Sequence, residues 1–458
     1  MSPSGNGNGS TPPFKYEPGG KLIYHLMAFM EGYDLQIYPV CLRTFEQCLK
    51  MSPSTLSTIA TVDNMSLLGS AFFWGFLSDK FQCQYLYGIA AMLAGVANIL
   101  LASTSNYHSI LALRVCHGLG VGAVNAAQPK IISSSEKEDT HPVSYGIIQA
   151  VTVLGRLLSA ILTTFAASNV ILGVHGWRMC YAILGYVWIF IGSIAVLGMK
   201  PKGNNGSSTS GGGGGNGEGD LSKLGGLFKK TTTYFITLVV YVSEVPFVAF
   251  TYMMLYLQYN GVSDMMAGVA LAVTLIGAIV GAGGGGKAIG AIPDEYKGYG
   301  LLGSGIFALA VRFIIGCTLF MGPKPNGRML WFHFVEFFIL GATLVTIGSV
   351  DRTVISDIAE DGVKATASAL IRSVAGIASS LTLYPLAGRL SEKAFGYIPT
   401  TDDIDMMDET AKATNCNSLR QTIMYILLVG TAINIILYGF CMISYKSDKG
   451  TNGNKSAG

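Results

Sequence analysis

The chain has 458 residues, of which half are hydrophobic and only 12% charged, and its formal net charge is +3. A soluble domain carries about twice that charge fraction. With a mean hydropathy of +0.46, the composition excludes a soluble globular protein. No basic stripe is present, which removes nucleic acid as a partner.

Residues 1–20 are rich in Gly, Ser, Asn and Pro and lack an apolar core. They read as a disordered tail rather than a signal peptide, so the first spanning helix is expected to target the membrane. Twelve apolar blocks follow, at about 22–44, 55–77, 85–104, 108–131, 145–167, 179–199, 233–257, 265–286, 298–320, 329–350, 365–388 and 421–443. Each has the length needed to cross roughly 30 Å of hydrocarbon at about 1.5 Å per residue. Backbone groups in lipid must be satisfied within the segment, so the blocks read as helices. Between the sixth and seventh lies a Gly/Ser-rich stretch with the run Gly211–Gly215, too poor in apolar groups to order itself.

The predicted fold is therefore an all-α membrane protein of two six-helix bundles. Its expected parts are a tail at 1–20, a first bundle at 21–199, a linker at 200–232, a second bundle at 233–445 and a tail at 446–458. With the N-terminus inside, seventeen Lys and Arg fall on the cytoplasmic side, nine on the other and four within helices. That bias places both termini and the linker in the cytoplasm.

The second block runs into Gly75-Phe-Leu-Ser-Asp79-Lys80. Glycine permits close helix approach, and an aspartate beside a basic residue can latch one end of a bundle. The fourth block holds Arg114-Val-Cys-His-Gly118-Leu-Gly120-Val-Gly122, and Gly176-Trp177-Arg178 precedes the sixth. These segments resemble the loop signature, the arginine with its glycine ladder and the GWR of the major facilitator superfamily. The resemblance covers about residues 21–445 and is strongest in the first half. It implies a transporter that works by alternating access, with Gly75, Asp79 and Lys80 as a gating latch. Arg372 begins the eleventh helix near the cytoplasm and is expected to meet Asp79 as part of a gate.

The match is incomplete. Gln82 and Gln84 replace later basic positions, only a weak echo survives around Gly283–Asp294, and Gly155-Arg156 stands where many proton-driven members carry Gly-Pro. The last difference argues against the drug-antiporter type. Glu31-Gly-Tyr-Asp34 is similar to the start of aromatic-acid/proton symporters, while the same aspartate with the GWR also resembles spinster-like lipid transporters.

Ionisable residues within the blocks cost several kcal/mol unless paired or hydrated, so each marks a candidate site. Glu31 and Asp34 are three apart on one helix, and two close carboxylates in low dielectric do not both ionise easily. That is the chemistry proton coupling requires, although a packing pair between Asp34 and an arginine is the competing reading. Arg114 and Arg156 suit an anionic substrate, because a guanidinium binds carboxylate or phosphate bidentately. The alternative is a permanent pair with Asp34 or Asp63. Arg312, on the ninth helix, is expected to be peripheral and structural.

In the second half, Glu244 lies two residues before Pro246, which interrupts the helix and frees backbone groups. His333 and Glu336 form an acid–base pair three residues apart on the tenth helix, with a hydrated wall as the alternative. Tyr252, Tyr256 and Trp331 read as interfacial aromatics.

The acidic run Asp402, Asp403, Asp405, Asp408 and Glu409 lacks EF-hand spacing and reads as a solvated loop. The eight cysteines show no metal-binding spacing. Six (Cys41, Cys83, Cys116, Cys180, Cys317, Cys441) lie in or beside apolar blocks as small hydrophobes, whereas Cys48 and Cys416 face the non-cytoplasmic side as a disulfide or as two free thiols.

These readings converge on a secondary transporter of a small organic anion, with proton symport as its coupling, working as a monomer in contact with membrane lipid. No nucleophile–base constellation or cofactor loop points to an enzyme, and no cofactor is expected. A spinster-type lysolipid carrier and a non-transporting receptor on the same fold are the alternatives. The expected location is the plasma membrane or an endolysosomal membrane.

Overall fold

The computed structural model describes residues 15–16, 18–80, 83–135, 141–198, 201–202, 225–290, 297–359 and 364–453. The first apolar block folds as α1, Pro18–Val40, and is followed by a short helix α2, Leu42–Leu49. Lys50, with φ of 55°, ends α2 in the left-handed region. Then come α3 (Pro53–Lys80), α4 (Cys83–Ser103), α5 (Tyr107–Ser135) and α6 (His141–Ala167). A two-residue hairpin, Val170–Ile171 against Val174–His175, leads into α7, Gly176–Gly198.

The seventh block is broken, as Pro246 suggests. It forms α8 (Thr231–Ser243), α9 (Val245–Thr251) and α10 (Met253–Tyr259). Pro246 sits in the first turn of α9, where its missing N–H is tolerated. The rest of the chain supplies α11 (Asp264–Gly290), α12 (Lys297–Met321), α13 (Trp331–Ile358), α14 (Lys364–Arg389) and α15 (Glu409–Gly453).

Every apolar block thus corresponds to a helix or a broken helix. Among the described residues nine spans are long and apolar enough to cross a membrane. The other three are α1, α3 and α5, whose hydropathy is lowered by residues such as Glu31, Asp34, Asp63, Arg114 and His117.

Within the first half, α4 packs on α7, α3 on α5 and α1 on α6; within the second, α11 packs on α13 and α15 on both α8 and α12. The halves meet through α3 against α14 and α6 against α11. Two crossings that matter for the site depend on glycine. A Cβ on Gly155 would lie 2.0 Å from the Phe29 carbonyl oxygen, so α6 and α1 touch backbone to backbone beside Arg156 and Glu31. A Cβ on Gly118 would lie 2.6 Å from the Asp63 carbonyl oxygen, so glycine lets α5 bring His117 up to Asp63.

One face of the molecule gathers the ends of the described chain. Lys15–Tyr16 pairs antiparallel with Pro201–Lys202, which ties the expected tail to the start of the linker. Asp448 of α15 accepts hydrogen bonds from the Thr232 backbone N–H at 2.8 Å and its hydroxyl at 2.6 Å, capping α8. The remainder of the tail and most of the linker lie outside the described residues.

Candidate functional site

A cavity of about 430 Å³ lies between the halves, lined by α1, α3, α5 and α6 on one side and by α8, α9, α11, α12, α13 and α14 on the other. Its polar lining includes Asp34, Asp63, His117 and Arg156 from the first half. Glu244, Arg312, Asp351, Arg352 and Arg372 come from the second.

On the first-half wall, Asp34 is the hub. Its Oδ2 accepts from Asn98 Nδ2 at 3.1 Å and from Trp188 Nε1 at 2.7 Å, and lies 2.9 Å from His117 Nε2. The other imidazole nitrogen, Nδ1, is 2.9 Å from Asp63 Oδ1. Arg114 reaches Asp63 Oδ2 at 3.4 Å, donates to the Tyr181 hydroxyl and lies over the Tyr38 and Tyr181 rings. Of the two readings offered by sequence for Arg114, the fixed pair describes its contacts, and it does not line the cavity.

Glu31 and Asp34 do not form the coupled carboxylate pair expected from their spacing. Three residues on an α-helix leave side chains about 60° apart in rotation. Asp34 turns toward α4, α5 and α7, while Glu31, also buried, exerts its field on Arg156 of α6. The partner of Asp34 is His117, which lies inside the segment Arg114–Gly122 and is not among the sequence candidates. A histidine three residues after a membrane arginine was the available signal.

A second group spans the halves. Arg156, on α6, faces the fields of Glu31 and Glu244, and Glu244 also faces Arg372. Arg352 and Arg372 stand close enough to repel, with Asp351 as the nearby acid. Asp351 is held by the Tyr438 hydroxyl and by Ser243 Oγ at 3.3 Å. Arg156, Arg352 and Arg372 make no hydrogen bond or ion pair with any described residue. Arg372, eight residues into α14 from its start at Lys364, lines the cavity. Arg312 is not peripheral: it is buried, lines the cavity and donates to Thr343 Oγ1 at 3.2 Å and to the Thr343 carbonyl at 2.9 Å.

His333 and Glu336 are buried but outside the cavity lining. His333 accepts from the Leu330 N–H at 3.1 Å and places its other nitrogen 2.9 Å from the Pro323 carbonyl, so it shapes the start of α13. Tyr252 and Tyr256 are buried core residues rather than interfacial ones, whereas Trp331 is exposed. Cys48 and Cys416 are both free thiols. The signature Gly75, Asp79 and Lys80 falls at the end of α3, with its side chains outside the described residues.

At the face opposite the termini, the halves are fastened to each other. Arg43 pairs with Glu46 at 2.7 Å and donates to the Tyr259 hydroxyl at 3.0 Å and to the Asp402 carbonyl at 2.5 Å. Tyr397 donates to Glu46, and Glu392 of the second half accepts from Ser54 N–H at 2.7 Å and Ser54 Oγ at 2.8 Å. Gln47 adds a bond to Asp403 at 2.9 Å. The acidic loop read as merely solvated thus docks on the first half. Burial pushes the Glu46 carboxyl above its ordinary range, because desolvation outweighs the neighbouring Arg43 and Tyr397.

The model of the Major Facilitator Superfamily matches residues 24–383. Among curated relatives, a riboflavin transporter of Clostridioides difficile (strain 630) is 21% identical over 174 residues, covering 37% of each chain. The matched segments span between 21% and 38% of the curated relatives' length. Among solved structures, a bacterial homologue of the human lysosomal transporter Spinster, inward-facing and unoccupied, superposes with a TM-score of 0.75 at 15% identity, over 94% of this chain and 98% of that one. A D-xylose–proton symporter gives 0.62 at 13% identity, over 88% and 96%. The family model and the twelve-helix architecture agree: the chain belongs to the major facilitator superfamily.

Proposed function

We propose that this transporter carries a small organic anion by alternating access and couples its movement to protons. The observation that carries the anion reading is a set of guanidiniums with no hydrogen bond or ion pair to any described residue, Arg156 from one half and Arg352 and Arg372 from the other, in or beside one cavity with Glu31, Glu244 and Asp351 as the nearby acids. A bound anion supplies the missing counter-charges and bridges the halves. Proton coupling is supported by the Asp34–His117–Asp63 chain, buried at Asp34 and His117, in the wall of the same cavity. The face carrying the termini is read as cytoplasmic. Fastening at the opposite face supports an arrangement in which the cavity addresses the cytoplasm.

Counterflow into proteoliposomes, with labelled benzoate, succinate and glycerol 3-phosphate as probes, tests the anion reading; a matched neutral sugar serves as control. Exchange of at least one anion and no sugar is expected. Sugar exchange without anion exchange overturns it. An imposed pH gradient then tests coupling: wild type accumulates the anion, while Asp34→Asn exchanges it without accumulation. A lipid carrier of spinster type is the second reading, favoured by the apolar wall of Phe247, Phe250, Leu271 and Leu275. Lysolipid in place of anion in the exchange assay would select it.

A further inference from the structure

The two nitrogens of His117 stand 2.9 Å from oxygens of two different carboxylates, Asp34 Oδ2 and Asp63 Oδ1. A neutral imidazole has one N–H and one lone pair. With one N–H, one of these contacts would set a lone pair against a carboxylate oxygen, which is repulsive. Two such contacts require two protons among the three groups. Asp34 Oδ2 also accepts from Asn98 and Trp188, which favours its ionised form, and Asp63 faces Arg114, which favours its own. Both protons therefore belong on the ring.

We infer that His117 is a proton-storage site, an imidazolium clamped between Asp34 and Asp63, with Asp63 as its opening to the cavity. The groups around the three residues agree. α1 presents Asp34 and Tyr38, α3 presents Asp63, α4 presents Asn98, α5 adds Arg114, and α7 presents Tyr181 and Trp188. Two carboxylates, one imidazolium and one guanidinium sum to zero, a neutral cluster suited to low dielectric. Loss of the ring proton leaves a net negative charge without solvent.

The route follows from exposure. The Asp63 side chain is 23% accessible, against 5% for His117 and 1% for Asp34. A proton from cavity water binds the Asp63 carboxylate and passes to Nδ1; release retraces the path. An anion near Arg156 stabilises the charged ring, and the charged ring attracts the anion. Each ligand thus raises the affinity for the other, which is the sign of symport. This transport role rests on the proton-coupled reading above, whereas the protonation state of the ring does not.

Solid-state NMR of ¹⁵N-histidine-labelled protein in lipid bilayers reads that state, with His117→Asn identifying the signals. At pH 7.5 the signals removed are expected to be those of a ring with both nitrogens protonated. Asp63→Asn should return His117 to a neutral ring at the same pH, with a proton affinity at least ten-fold weaker. A neutral, single-tautomer His117 in wild type at pH 7.5 overturns the inference, whether or not His117→Asn folds. Proteoliposomes containing pyranine, with the same three anions as probes, separate storage from coupling. Proton movement in wild type that is lost in His117→Asn supports the inference, and equal movement in both overturns it. A doubly protonated ring in a wild type that moves no protons with any probe sinks the coupling reading and leaves the storage site standing.

Discussion

Tyr397 donates its hydroxyl to both carboxylate oxygens of Glu46, at 2.7 and 2.8 Å, and so joins the two halves at the face away from the termini. The same hydroxyl lies 3.0 Å from that of Tyr259, whose ring stands under Arg43. Removing it leaves a buried carboxylate short of a donor, at a cost of about 1–3 kcal/mol. Tyr397→Phe should therefore shift the conformational equilibrium toward opening at that face. A cysteine placed at Thr251, a cavity-lining position, should then react faster with an impermeant maleimide from outside. Unchanged labelling would remove this contact from the gate.

The same carboxylate has a pH signature. The pKa of Glu46 is raised in the folded protein because burial disfavours its charge. A raised folded-state value means stability is greatest below the unfolded pKa and is lost as pH rises through the folded one. Wild type minus Glu46→Gln, compared in thermal melts, should show a difference that changes upward of the ordinary carboxylate range, with wild type losing ground as pH increases. A flat difference between pH 4 and 7 would contradict this.

For the anion site, Arg156→Gln and Arg372→Gln should each weaken probe binding by about ten- to hundred-fold, the equivalent of about 1.5–3 kcal/mol for a hydrogen bond to a charged group. Lysine at either position should restore only part, since a point charge does not reproduce a planar fork. Counterflow concentration curves measure the effect. Wild-type affinity in both glutamine variants would leave the anion reading without its support.

Helix packing offers a sharper structural test. Gly155→Ala places a methyl 2.0 Å from the Phe29 carbonyl oxygen, whereas a methyl at Gly69 has nothing within 4 Å. Overpacking costs about 1–3 kcal/mol or more where backbone cannot yield. Gly155→Ala should lower the melting temperature and the yield of monodisperse protein, and Gly69→Ala should leave both near wild type. Equal behaviour would mean that the α1–α6 crossing relaxes.

The sequence by itself determined the membrane class, the twelve spans, the break at Pro246 and the family. Those properties follow from local composition: an apolar block of fixed length has one way to satisfy its backbone in lipid. It also marked Asp34, Arg156 and Glu244 as residues too costly to lie in lipid without a role. Which groups meet was decided only by the tertiary structure. Spacing along α1 suggested Glu31 with Asp34, yet packing placed Asp34 on His117 and Glu31 within the field of Arg156. Arg372 lines the cavity, and His333 stands outside it at the start of α13. The contact between Tyr397 and Glu46 joins residues 351 positions apart. No period or motif encodes such a meeting, because it depends on how one half of the chain docks against the other.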